Sequence, residues 1–557
     1  MDPRPWHRFY DYSVPVSIPQ PQLCVADLLQ IPANAYPDKA AVHFLGREIT
    51  FWELRQQVLR MANALEALGV QKGDRVGIHL PICPQYIIAY YAVLSLGAIV
   101  VNLNPLYKPD ELEGVFLSTG ISTLFTIDTA MPTVFALSRR VEIRRIIVTR
   151  SSDYAGTKAA SQKPLELEEG WLSFSALLEN CTSTRRPRVD LSIHDPAMIQ
   201  FTGGTTGIPK GAVLTHGNVV AATIGQSLWI SPVVQLTPPE RRFLLGAIPF
   251  FHIYGNIAVI NLSVFNCATQ ILVPQFEINE MMNVLSRYKE ILAFPTVPTM
   301  ITAVVSSPRA EELGLDKKLG LLNSGGAPMP VEIIHRIRDM GIFYSEGWSM
   351  SETTCAGTQN PLLGRSKIGS IGIPVIGTDV RLVDLEEGRE PVPQGEPGEM
   401  VIKGPTVTQG YWNNPEETAL QIRNGWLHTG DIAIQDEDGF FFIIDRKKDM
   451  IIAGGFNIYP RDVEEVLYEH PKIKEVVVAG IPDEYRGETV KAYVILKDGE
   501  TATEEEIIEF CRSRMAKYKV PRAVEFRKEL PKTMVGKILR RLLVEEEKKK
   551  LAEKKQG

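Results

Sequence analysis

Phe201-Thr-Gly-Gly-Thr-Thr-Gly-Ile-Pro-Lys-Gly211 is the stretch on which the reading of this chain turns. Residues 202–211 hold four glycines, three threonines and one lysine. Glycine lets successive backbone N–H groups turn toward one anion at φ values that other residues resist. Thr202, Thr205 and Thr206 add hydroxyl donors and Lys210 adds a positive charge, beside Gly203, Gly204 and Gly207. The loop is equipped to hold a polyphosphate. It is not a Walker loop, because no Gly-Lys-Ser/Thr closes it, and the Gly536-Lys537 pair far downstream is followed by Ile538. An apolar strand at 197–201 precedes it, so the loop sits beyond a strand's carboxyl end, where α/β sheets place ligands. Standing alone, the same cluster would be a flexible surface loop.

Upstream, residues 24–150 alternate helix and strand. Thr50 caps a helix whose Leu54, Val58, Met61, Leu65 and Leu68 recur at helical spacing, and Gly69 ends it. A strand over 75–80, a helix over 84–96 and a strand over 98–102 repeat the unit. Such alternation predicts parallel sheets covered on both faces. The uncharged run 86–101 is 16 residues long. That is short of the roughly 20 a spanning helix needs, and it reads as a buried helix followed by a buried strand.

Downstream, Leu245-Gly-Ala-Ile-Pro-Phe250-Phe-His252-Ile-Tyr-Gly255 leads into the uncharged run 256–275, a suitable wall for an apolar substrate. Taken singly, His252 would be a core histidine. Asn323-Ser-Gly-Gly-Ala-Pro328 and Glu346-Gly-Trp-Ser-Met-Ser-Glu352 each follow a short apolar strand, at 319–322 and 342–344. Gly325 and Gly326 let a flat base lie against the backbone, and Trp348 can stack on it. Glu352 offers an oxygen to a hard cation such as Mg²⁺. Between residues 426 and 446, two apolar runs flank the turn signal Asp436-Glu-Asp-Gly439. A turn centred there sets Asp431 opposite Ile444, with Arg446 its diagonal neighbour on the same face. Asp431 and Arg446 then suit a ribose diol, or form a plain cross-strand ion pair.

Asp445-Arg-Lys-Lys-Asp449 is a charged break, and beyond it lies a compact α+β unit. A chain of 557 residues is too long for a single core. Its 44% hydrophobic and 23% charged content is that of an ordinary globular protein. A net charge of −6 argues against nucleic-acid binding. Six scattered cysteines, without a CxxC, point to a reduced cytoplasmic protein with no cysteine-based metal site. The lysine- and glutamate-rich tail after residue 545 reads as a solvated helix end. Weak peripheral membrane contact is the minor reading, and a homodimer stays open.

Taken together, these segments resemble an acyl-CoA synthetase of the adenylate-forming superfamily, over nearly the whole chain. Asn104-Pro-Leu-Tyr107, Asp445-Arg-Lys-Lys-Asp449-Met and Gly536-Lys-Ile-Leu-Arg-Arg541 are most similar to bacterial-type long-chain fatty acid–CoA ligases. The resemblance implies an α/β fold. A large N-terminal domain (1–444) of parallel sheets packed by helices joins a small mobile α+β domain (450–557) through a hinge at 445–449. It also implies ATP, Mg²⁺ and coenzyme A, and two steps: acyl-adenylate formation, then transfer to the coenzyme thiol. By position, the loop from Thr202 to Lys210 holds the β- and γ-phosphates. Gly326, Ala327 and Trp348 frame adenine and Ser351 lies near the α-phosphate, with Gly325, Pro328, Ser349 and Met350 also among the ATP- and AMP-binding residues. Glu352 is the Mg²⁺ ligand, Asp431 and Arg446 hold the ribose, and Lys537 bridges the acyl carboxylate and the α-phosphate. Phe250, His252, Gly255 and Gly326 face the acyl group. Lys448 is the hinge residue, and Gly454, Gly455, Phe456 and Asn457 face coenzyme A. Trp348-Ser-Met-Ser-Glu352 departs from the family's usual Tyr-Gly-x-Thr-Glu. The alternative is an adenylate-forming ligase for a medium-chain or aryl acid, or one that passes the acyl group to a carrier-protein thiol.

Overall fold

Helix and strand signals upstream of residue 380 build two mostly parallel sheets in the computed structural model. The structure describes residues 4–156, 165–202, 210–453, 456–483, 486–532 and 538–556. The chain divides into two units: Met1–Asp379 with Lys403–Leu427, and Val380–Ile402 with His428–Gly557.

In the first unit, one sheet runs Leu172–Ser173, Arg145–Thr149, Thr123–Ile127, Arg75–His79, Ile99–Asn102, Pro196–Thr202 and Lys210–Thr215. All neighbours are parallel except the last pair, which is antiparallel and sets Thr202 opposite Lys210. The second sheet has a parallel centre of Phe343–Trp348, Leu319–Ser324, Ile291–Thr296, Phe243–Gly246, Thr269–Leu272 and Ala40–Phe44. Helix Phe51–Ala67 begins at Thr50, whose hydroxyl accepts from Glu53 N at 3.1 Å while the Glu53 carboxylate accepts from Thr50 N at 2.9 Å. Helix Pro84–Ser95 and strand Ile99–Asn102 are buried throughout, as the uncharged run predicts.

Buried amides join the two sheets. Asn102 Nδ2 donates to Gln200 Oε1 at 2.9 Å, and Gln200 Nε2 donates to the carbonyl of Phe251 at 3.0 Å. The Tyr86 hydroxyl lies 2.6 Å from Asn102 Oδ1 and 2.9 Å from the carbonyl of Phe250. The loop after strand Phe243–Gly246 is therefore pinned to the neighbouring sheet. Beyond it the chain forms a π-helical turn, Asn256–Asn261, packed beneath the tyrosines of helix Pro84–Ser95. Asn261 accepts from the Tyr91 hydroxyl at 2.9 Å and donates toward that of Tyr90 at 3.1 Å.

The second unit contains the sequence-predicted α+β element. Strands Ile473–Asp483 and Gly487–Leu496 pair antiparallel, and helices Pro460–Tyr468 and Glu504–Arg512 contribute Val463, Leu467 and Ile507 to its core. It also takes in residues 380–402 and 428–444, which the sequence reading assigns to the large domain. Arg461 shows why: its N donates to the Asp445 carboxylate and its Nη1 to the carbonyl of Ile443, both at 2.9 Å. Among the described residues, no helix is long and apolar enough to cross a membrane.

Replacing Gln200 by Leu leaves the Asn102 amide and the Phe251 carbonyl without their buried partner. A loss of about 2–4 kcal/mol is expected, read as a lower urea midpoint at unchanged m-value. An unchanged midpoint would show that the amide bridge contributes nothing.

Candidate active site

Residues expected at the nucleotide fall in both units. In the first, strand Pro196–Thr202 ends at Thr202 and strand Lys210–Thr215 returns beside it. Gly203, Gly204, Thr205, Thr206 and Gly207 lie outside the described residues, as do Gly454, Gly455 and Lys537. Lys210 Nζ meets Glu417 Oε1 at 2.5 Å, a largely shielded pair with side chains 22% and 16% exposed.

Strands Leu319–Ser324 and Phe343–Trp348 are parallel neighbours, and their continuations carry the two Gly- and Ser-containing loops. Gly326 adopts φ +87°, which the turn requires of a residue without Cβ. Gly326 and Pro328 are exposed, and Gly325 and Ala327 half-buried. Trp348 is half-buried with Gly357 against its indole, where a Cβ would stand 2.7 Å from the ring. Ser349 is exposed, and Ser351 opens a short 3-10 turn, Ser351–Thr353, whose start is held by Met350 N donating to Thr353 Oγ1 at 3.0 Å. Thr354 and Cys355 follow at φ +51° and +61°. This sharp turn buries Glu352, only 5% exposed, whose Oε1 accepts from the Tyr411 hydroxyl at 3.0 Å. Burial, followed by the charges of Glu352 and Glu417, holds the Tyr411 phenol well above its usual range, so it stays a donor.

On the pinned loop, the Phe250 ring is fully buried against Tyr86, at a centroid distance of 5.4 Å. His252 is half-buried and accepts from Tyr254 N through Nδ1 at 3.2 Å, capping the turn that follows. Gly255 is obligatory, since a Cβ there would stand 2.3 Å from the Pro249 carbonyl oxygen. The Tyr254 hydroxyl reaches Asn323, 2.8 Å from Oδ1, and so connects this loop to the Gly325-Gly326 loop.

In the second unit, the Asp431–Arg446 pairing corrects the sequence reading. The two residues stand directly opposite, with Nε–Oδ1 at 2.8 Å, instead of diagonally. Phe440 joins the turn, its N–H bound by Asp436 Oδ1 at 2.9 Å, and a bulge between Ile432 and Ala433 shifts the register further. Asp431 is buried and Arg446 half-buried. Lys448 is exposed, as are Phe456 and Asn457, and Phe456 stacks on Tyr518 at 4.6 Å. Lys532 and Ile538, on either side of the residues that include Lys537, form an antiparallel bridge.

The family model for AMP-binding enzymes matches residues 29–412, and that for the AMP-binding enzyme C-terminal domain matches 462–537. The chain belongs to that family. It is 42% identical to a long-chain-fatty-acid–CoA ligase of Bacillus subtilis (strain 168), over 98% of each chain. The crystal structure of the anthranilate CoA ligase AuaEII in complex with anthranoyl-AMP superposes with a TM-score of 0.83 at 27% identity, covering 96% of this chain and 99% of that one. That of ATP-bound MatB from Rhodopseudomonas palustris does so with a TM-score of 0.82 at 28% identity, covering 94% and 98%. This AMP-binding enzyme is an adenylate-forming acyl-CoA ligase.

Three features of the enzyme escaped sequence reasoning. Tyr411 and Glu417 reach Glu352 and Lys210 from a segment to which the sequence reading gave no role, although Asn413-Asn414-Pro415 is a helix-start signal. Arg540 pairs with Asp449 at 3.1 Å and Glu464 at 2.6 Å, and approaches Asp445 to 3.8 Å, across separations no local pattern reveals.

Burial pushes the Asp445 carboxyl up to about 6, against the pull of Arg540 and of the Arg461 and Arg446 N–H groups and with the push of Glu464. Unfolded, it titrates near 3.8, so the folded chain carries an extra proton between these values. Its stabilising contribution is complete below the unfolded value and is lost as pH rises through the folded one. Wild type should therefore lose about 1–3 kcal/mol relative to Asp445→Asn between pH 4 and 6.5. Urea unfolding of both proteins across that range checks it, and a pH-independent difference would contradict it.

Proposed function

We propose that the enzyme activates long-chain fatty acids with ATP and passes the acyl group to coenzyme A, giving acyl-CoA, AMP and pyrophosphate. The observation that carries this reading is the full-length likeness to the Bacillus subtilis long-chain-fatty-acid–CoA ligase. The fatty carboxylate oxygen attacks the α-phosphorus, pyrophosphate leaves, and the thiol of coenzyme A then displaces AMP from the acyl carbon. Lys210 and the loop before it hold the β- and γ-phosphates. Gly325, Gly326, Ala327 and Trp348 receive adenine, Ser351 lies near the α-phosphate, and Asp431 with Arg446 holds the ribose.

The Glu352 carboxylate suits Mg²⁺: one oxygen is held by Tyr411, and Mg²⁺ is commonly bound by one or two carboxylates together with substrate phosphates. When bound, the ion would neutralise charge on the phosphates of the leaving group. Lys537 supplies the cation that stabilises charge on the α-phosphorus in the first step. Residues 445–449 are the hinge, Lys448 is its pivot residue, and Phe456 and Asn457 face the coenzyme. An aryl acid is the second reading, supported by the likeness to the anthranilate ligase.

An ATP–pyrophosphate exchange screen from acetate through palmitate to aromatic acids tests the acid. Each buried methylene is worth about 0.8 kcal/mol, so C12–C18 acids should exceed acetate in kcat/KM by several orders of magnitude. Equal efficiency on acetate and palmitate would remove the long-chain assignment, and preference for a benzoate would install the second reading.

The two half-reactions should also separate by residue. Lys537→Ala is expected to lower adenylate formation by about 10²–10³ while still converting supplied palmitoyl-adenylate and coenzyme A to the thioester. Lys448→Pro, which stiffens the backbone, should keep pyrophosphate exchange and lose thioester formation. Equal slowing of both steps in Lys537→Ala would show that the lysine is structural.

A further inference from the structure

The strand that begins with Lys210 has a second neighbour besides Pro196–Thr202. Val213 N donates to the carbonyl of Gly410 at 2.9 Å, Trp412 N donates to that of Gly211 at 2.8 Å, and Ala212 bridges to Tyr411. The same segment reaches the Glu352 turn, where Thr408 N donates to the Glu352 carbonyl at 2.7 Å and the Tyr411 hydroxyl to the carboxylate. Asn414 Oδ1 then caps Glu417 N at 3.0 Å and starts the short helix Pro415–Gln421, which carries the Glu417 carboxylate onto Lys210.

The segment is tied to itself by close contacts. Thr418 Oγ1 accepts from Tyr411 N at 2.9 Å, and a Cβ on Gly410 would stand 2.5 Å from Thr418 Cγ2. Gln421 Nε2 steadies the carboxylate oxygen that meets the lysine, at 3.1 Å. One ten-residue segment, 408–417, thus gives a phenol to the acid expected at the metal and a carboxylate to the lysine expected at the phosphates.

A carboxylate so placed has an electrostatic consequence. While Glu417 neutralises it, the Lys210 ammonium presents only part of its charge to an incoming phosphate, and the carboxylate itself repels that phosphate. Shielding makes the pair stronger than an exposed one. We propose that Glu417 is the internal counter-ion of Lys210. It holds the ammonium in place until a triphosphate arrives and takes it back when pyrophosphate leaves. Glu417 is thus a positioning residue that sets the site's affinity for polyphosphate and leaves its affinity for the acid and the thiol unchanged. This rests on the reading of Lys210 as a phosphate-binding residue.

Glu417→Gln keeps shape and an acceptor for Gln421 while removing the charge. The KM for MgATP and the inhibition constant of inorganic pyrophosphate should both fall by about three- to tenfold. The KM values for fatty acid and coenzyme A should stay fixed, and Glu417→Asp, which retains the charge, should lie near wild type. Damage to the fold would not tighten binding. A second comparison is independent of that variant's vigour. Lys210→Met leaves the Glu417 carboxylate facing phosphate alone, and adding Glu417→Gln in that background should recover part of the lost pyrophosphate affinity. Unchanged or weaker polyphosphate binding in Glu417→Gln, or no recovery in the double variant, would overturn the proposal. Wild-type enzyme that gives no ATP–pyrophosphate exchange with any acid would overturn the underlying functional reading as well.

Discussion

A loop that stays buried has to satisfy its own carbonyls, and the first unit is built around that requirement. The chain leaving strand Phe243–Gly246 carries two carbonyls, on Phe250 and Phe251, that no ladder serves. Tyr86 and Gln200, from the neighbouring sheet, provide for them. The amide of Asn102 joins these two side chains, so one continuous polar link ties a helix, two strands and the loop. An unpaired carbonyl at such depth is costly, which is why residues on elements far apart in sequence are committed to it. The cost also fixes where the loop sits relative to the Gly325-Gly326 loop, reached through Tyr254.

Periodicity made the first unit legible. The caps, the buried helix Pro84–Ser95 and the parallel strands follow from local chemistry, because burial on both faces leaves a continuous apolar run that composition exposes directly. Register was legible less well. The turn signal in Asp436-Glu-Asp-Gly439 located the hairpin, but the turn is enlarged by side-chain bonding inside the loop and the register shifts again at a bulge beside Ile432, neither of which spacing alone encodes. The candidate site was legible where it depends on glycine and on residue type, as at Gly326 and Glu352. Partners were not. Tyr411, Glu417 and Arg540 contact their charges over separations of 59, 207 and 91 residues or so, and ion pairs between distant segments leave no periodic trace.

The charges assigned to ligand chemistry do not wait in isolation. Lys210 is paired with Glu417, and Asp431 with Arg446. Burial demands this, since an uncompensated ion in a shielded position would shift its protonation or destabilise the fold. On the proposed reading of Lys210, ligand binding there is an exchange of partners, and affinity measures the difference between the ligand and the internal partner. Arg540 applies the same rule at the charged break: its guanidinium meets Asp449 and Glu464, so residues around 445–449 are ordered by charge from the last helix as well as by backbone geometry.

The uncharged run after Gly255 shows how far composition can carry a reading of substrate class. It holds no ionisable side chain between residues 256 and 266, yet Asn256, Asn261 and Ser263 within it are fully buried. Polar groups lining a pocket would weaken the case for a hydrocarbon chain. Here Asn261 is consumed from within: Tyr90 and Tyr91 take both ends of its amide, and its Nδ2 also lies 3.0 Å from Asn256 Oδ1. The π-helical turn makes this possible, because its wider spacing brings residues five apart into one bond, from Asn261 Nδ2 to the carbonyl of Asn256 at 3.1 Å. Ile257, Val259 and Ile260 are fully buried beside this network, whereas Asn256 Nδ2 and Ser263 Oγ are buried with no hydrogen-bond partner among the described residues. An absence of charge is therefore not the same as an absence of polarity: the internal network consumes Asn261, while other buried polar atoms of the run keep their hydrogen-bonding capacity, and neither fact is announced by the sequence.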